Sequence, residues 1–167
     1  DGGVVVTVVL FALLIVFTIT YSVPLVNGAI SLMPMMVAAV YLALGKVPAA
    51  WATTLAVLIH AGVRRWRVAQ GLSSKEPHGW RLVEATLMNI LMHVTGILAA
   101  SFVYEGWRGL IPLMTLTSRV WIKLVVTFVT YLGVNYLLAA LYLWMRSRDA
   151  VRDYVRALPR LIFFEGG

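Results

Sequence analysis

The stretch "LMNILMHVTGILAA", Leu87 to Ala100, decides how this sequence is read. It lies inside a longer apolar run, from about Leu82 to Tyr104, yet carries Asn89, His93 and Thr95 near its middle. About 20 consecutive apolar residues are enough for a helix to cross a bilayer. In such a helix a polar side chain is costly and has a partner or a task. Ala85, Asn89, His93, Gly96 and Ala100 recur at steps of four, four, three and four, so they form one stripe on the helix. Gly96 and Ala100 make a small-xxx-small pair, which lets another backbone approach closely. The stripe is therefore expected to face another helix.

The rest of the chain has the same character. Of 167 residues, 61% are hydrophobic and only 13% charged, against about 45–50% and about 25% in soluble domains. Mean hydropathy is +0.88. The expected fold is an all-α polytopic transmembrane bundle of about five spans. They cover about Val4–Val23, Ile30–Leu44, Ala49–Val63, Leu82–Tyr104 and Val120–Met145. Residues 1–145 would form the bundle and 146–167 a basic, amphipathic cytoplasmic tail. In that tail Val151, Tyr154, Val155 and Leu158 recur at helical spacing until Pro159.

The net charge of +7 is not spread evenly. Arg64, Arg65, Arg67, Lys75 and Arg81 crowd the connection after the third span, and Arg146, Arg148, Arg152, Arg156 and Arg160 the tail. Both regions are expected on the cytoplasmic side, so the basic balance reflects a membrane rather than nucleic acid as partner. Two spans separate them, so the assignments agree, and Asp1 falls outside. The chain opens on Asp1 with no charged region before the apolar run, which therefore does not read as a signal peptide. A longer product with a further helix before Asp1 is the expectation. Trp51, Trp66, Trp80, Trp107, Trp121 and Trp144 all fall near expected span ends, where aromatic belts form.

The candidate polar cluster comes from depth. The fifth span carries its own stripe, Lys123, Thr127, Tyr131 and Asn135. Asn89 and His93 lie about 12 and 18 Å from the Arg81 end, and Asn135 about 16 Å from the Arg146 end. The fourth and fifth helices are expected to pack with Asn135 near Asn89 or His93. These groups serve either helix packing or a ligand, and a titrating His93 would add pH dependence. His60 lies only about 6 Å from Arg64, too shallow to share a haem iron with His93. No metal or other cofactor is expected. Glu84 is expected to pair with Arg81 at i, i+3, Lys123 to snorkel outward, and His78 to be solvated. Ala52 and Ala56 form a second small-xxx-small pair in a third helix expected to be central. There is no cysteine, and no P-loop, GxGxxG, HExxH or GxSxG motif, so nothing supports an enzyme.

Three stretches carry a resemblance. They are "GAISLMPMMVAAVYLALGKVPAAWATTLAVLIHAGVRR", "LMNILMHVTGILAASFVYEGW" and "VTYLGVNYLLAALYLWMRSRDAVRDYVRALPR", together roughly Gly28 to Arg160. They resemble the polytopic N-terminal membrane domain of bacterial signalling proteins that carry an HD-type phosphohydrolase or a GGDEF-type cyclase. The resemblance implies a sensory or anchoring role in the bacterial cytoplasmic membrane. The first stretch is also similar to substrate-binding membrane components of energy-coupling-factor vitamin transporters, whose AxxxA coupling signature is missing from "VVVTVVLFALLIVFTIT". A third reading is an accessory subunit of a larger membrane complex. Partners would be the lipid bilayer and other membrane subunits or a second copy of the chain.

Overall fold

A computed structural model of the chain describes residues 2–21, 23–25, 28–30, 32–71, 79–113 and 118–146. Five helices form a bundle: α1 (Gly2–Thr20), α2 (Met33–Leu44), α3 (Lys46–Ala69), α4 (Trp80–Gly106) and α5 (Ser118–Arg146). Four of them, all but α2, are long and apolar enough to cross a membrane. The expected tail, His78 and the middle of the Arg64–Arg81 connection lie outside the described residues.

The helix ends differ from the apolar windows for identifiable reasons. Arg64, Arg65 and Arg67 continue α3 rather than stopping it. Arginine is a good helix former whose stem lies along apolar surface while its head reaches water. Between α1 and α2 the sequence breaks instead. Pro24 and Gly28 lie in a two-stranded antiparallel ribbon, β1 (Val23–Leu25) and β2 (Gly28–Ile30), with Val23 opposite Ile30. Val23 and Ile30, expected within spans, thus belong to this ribbon. Pro34 sits in the first turn of α2, where its missing N–H is not needed.

Helix α2 has 12 residues, a length of about 18 Å, short of the roughly 30 Å hydrocarbon core. It turns into α3 through the single residue Gly45, whose φ of 89° and ψ of 176° fall in a region open essentially to glycine alone. The Gly45 N–H donates to the Tyr41 carbonyl. A Leu113 N–H donates to the Leu42 carbonyl, so the α4–α5 connection returns over this corner. The Tyr104 ring packs on Gly109, and its hydroxyl donates to the Leu110 carbonyl at 3.3 Å.

Ala12 and Ile15 of α1, Val37 and Val40 of α2, and Ala49, Ala52 and Ala56 of α3 form one core with Ile97, Ala100 and Tyr104 of α4. Helix α1 packs on α2 and α3, α3 on α4, and α4 most extensively on α5. Large apolar residues point outward, among them Leu13, Phe17, Leu98, Phe102, Val129 and Leu137. That is the arrangement of a bundle whose solvent is lipid, since lipid tails are as apolar as leucine. All six tryptophans are exposed near helix ends: Trp51, Trp107 and Trp121 at the Gly45 end, Trp66, Trp80 and Trp144 at the other.

The corner supplies a direct test. Gly45→Ala forces a Cβ into a glycine conformation and is expected to cost about 1–3 kcal/mol. Gly62 lies within α3 with nothing near its Cβ position, so Gly62→Ala should lose nothing. Denaturant titration of both variants in detergent decides; equal behaviour would contradict the turn geometry.

Candidate functional site

Helices α4 and α5 meet along a seam in which Gly96 is tightly packed. A Cβ there would collide with the Asn135 amide and lie 3.0 Å from the Tyr131 ring. Asn135 donates to the Tyr131 carbonyl one turn back on its own helix, at 2.9 Å. His93, nearly one turn before Gly96, shares a hydrogen bond of 2.6 Å with the Tyr131 hydroxyl. The two rings are stacked, with centroids 6.1 Å apart. Tyr131 is thus the meeting point: its carbonyl takes Asn135, its hydroxyl takes His93, and its ring takes the gap left by Gly96.

Asn89 does not join them. It is exposed, and no hydrogen bond to its side chain is present among the described residues. The stripe puts it on the same face as His93, but apart from Leu82 the fully buried positions of α4 begin at Gly96. Helix α5 still runs beside α4 at Glu84, so Asn89 is exposed because its side of α4 is turned away from α5 at that level. Ala52 and Ala56 are completely buried, and Gly96 and Ala100 are buried.

The carboxylates also differ from expectation. Glu84 does not turn to Arg81. It accepts from the Tyr142 hydroxyl at 2.8 Å and from Arg146 at 3.4 Å, and the Arg146 guanidinium lies over the Tyr142 ring. An exposed i, i+3 pair contributes only about 0.2–0.5 kcal/mol, whereas α5 offers two donors to a half-buried carboxylate. At the opposite end Lys46 pairs with Glu105 at 2.7 Å, and Lys123 donates to the Arg108 carbonyl at 3.3 Å.

Beside the seam lies a partly open cavity of about 170 Å³ between α2, α4 and α5. Val37, Tyr41, Ile97, Ala100, Thr127 and Tyr131 are among its walls. Tyr41 is 3% exposed and Thr127 7%, and neither hydroxyl has a hydrogen-bond partner among the described residues. Thr86 and Thr130 close back onto the carbonyl four residues earlier, but Thr127 does not. Thr53 of α3 is another buried hydroxyl in this condition. These hydroxyls are recessed, so the surface of the cavity is almost wholly carbon. Tyr131 and Thr127 stand in the α5 stripe and so carried a signal in the sequence. Tyr41 carried none, being one turn from a helix end like any belt aromatic.

No group of three or more His, Cys, Asp or Glu side chains that could hold a metal ion is present among the described residues. No family model matches the chain, and no curated protein or solved structure matches it either.

Removing a partnered hydroxyl and an unpartnered one should have opposite effects. A double-mutant cycle between His93→Ala and Tyr131→Phe is expected to return a coupling of about 0.6 kcal/mol, with about 1.7 as the upper end for such bonds. Tyr41→Phe and Thr127→Val remove hydroxyls that bond to nothing, so each should leave stability unchanged or raise it. Unfolding of purified protein in detergent measures all four; a loss of about 1 kcal/mol or more in either of the last two would contradict the geometry.

Proposed function

We propose that this chain is a non-catalytic membrane module, the sensory or anchoring part of a bacterial signalling protein, whose basic end faces the cytoplasm. The observation that carries the reading is the continuity of α5. It runs unbroken for 29 residues, about 42 Å. Along that length it meets Arg108 through Lys123, lines the cavity with Thr127 and Tyr131, bonds His93, and reaches Glu84 through Tyr142 and Arg146. A rod gripped at the cavity and again at the membrane edge passes a small shift or rotation to whatever follows it.

The charge distribution supports the orientation. Arg64, Arg65, Arg67, Arg81 and Arg146 gather at one end of α3, α4 and α5. Lys46, Arg108 and Lys123 stand at the other, with Glu105 paired to Lys46. The positive-inside bias puts the arginine-rich end in the cytoplasm. The vitamin-transporter reading draws less support, because the cavity is smaller than the roughly 300–1,000 Å³ of pockets for drug-sized ligands.

The test uses the native full-length gene product and its phosphohydrolase or cyclase output. Tyr131→Phe and Glu84→Gln loosen the two grips on α5, while Leu98→Ala changes an outward-facing side chain. The first two are expected to shift output several-fold at normal expression, and the third not at all. Unchanged output in both grip variants, or a native gene without an output module, would sink the sensor reading in favour of an accessory subunit.

A further inference from the structure

The cavity between α2, α4 and α5 has a volume of about 170 Å³. An apolar cavity of about 150 Å³ stays dry and accepts benzene. None of the residues lining this one carries a formal charge, and the oxygens of Tyr41 and Thr127 are recessed behind carbon. A charged ligand would lose its hydration with nothing in return, and a polar one would leave its donors unpaired. Water needs two to four polar partners to settle in such a place. What remains is apolar matter of about one ring in size. The route in is also given by the packing. Among the described residues α4 packs on α5 and touches α2, while α2 and α5 share little or no contact, and the gap between those two is the route the packing leaves open.

We infer that this cavity is a binding site for a neutral, ring-sized hydrocarbon group entering sideways from the membrane between α2 and α5. The inference rests on the sensory reading for its purpose, since it names the class of signal. It stands on its own as a site. The group would press on Thr127 and Tyr131, and Tyr131 is the residue that holds His93 on the far helix. Occupancy therefore bears on the α4–α5 seam through a side chain already bonded across it. A hydrocarbon of this kind has two sources, a free molecule dissolved in the bilayer or the end of a lipid acyl chain.

Toluene and phenol are the probes, because they differ by a methyl against a hydroxyl at nearly constant shape. In purified protein toluene is expected to raise the unfolding temperature saturably, with phenol at least about tenfold weaker because its hydroxyl finds no partner. Ala38→Leu and Ala100→Leu each place a larger side chain in the wall. Both should abolish the toluene response, and the two together guard against one failing to fold. Repeating the titration at increasing lipid-to-protein ratio separates the sources. A toluene affinity that falls with added lipid identifies an acyl chain as resident, and one that does not identifies a free molecule. No saturable response to toluene, a phenol response as strong as that to toluene, or a toluene response undiminished in both folded leucine variants overturns the site. Toluene binding that leaves the output of the full-length protein unchanged would retain the site and reject the sensory reading.

Discussion

The close approach of α4 and α5 at Gly96 is the constraint on which the rest of this bundle depends. Lipid gives no hydrophobic force between helices, so they hold together only where backbones come near enough for dense van der Waals contact and for short polar side chains to reach across. Gly96 provides the nearness, and Tyr131 and Asn135 fill it. The same logic recurs in α3, where Ala52 and Ala56 vanish completely into contact with their neighbours. Elsewhere the helices show lipid their large side chains, which need no partner.

Once the backbones are close, polar groups have few choices. His93 finds the Tyr131 hydroxyl, and Glu84 finds Tyr142 and Arg146. Each fixes α5 against α4 at a different depth, one in mid-span and one at the basic edge. Removing Tyr131 would leave His93 unpaired in mid-span, where nothing hydrates it, whereas Glu84 and Arg146 stand at the exposed edge and lose less. The hydroxyls of Tyr41 and Thr127 are the exceptions beside the cavity. Their oxygens are covered by carbon rather than bonded, which leaves the cavity apolar in a region where two polar residues contribute to its wall.

Much of the fold could be read from the chain because a membrane reduces the problem to spans and ends. The apolar runs gave the long helices, and tryptophans and arginines marked their limits. The short α2 was harder, since hydropathy counts Ile30 as membrane-like while Pro24 and Gly28 put it into a ribbon. The site was legible in part. Helical spacing found the His93 face and the α5 stripe that holds Tyr131. It also set Asn89 on that face, because periodicity says which residues share a face and not whether a neighbour covers each of them. Glu84 illustrates the same limit. Its local partner Arg81 is visible in sequence, while Tyr142 and Arg146 lie 58 and 62 residues away and become neighbours only through folding.

The absence of cysteine makes the seam directly measurable, because any disulfide must come from introduced residues. Disulfides form only where Cβ atoms come within about 3.5–4.5 Å. Gly96→Cys combined with Asn135→Cys joins two positions in direct contact across the seam, and Leu98→Cys combined with Leu137→Cys joins two outward-facing positions. Mild oxidation in native membranes should cross-link the first pair rapidly and the second hardly at all. A first pair that stays reduced, or a second that closes as fast, would contradict the packing of α4 on α5.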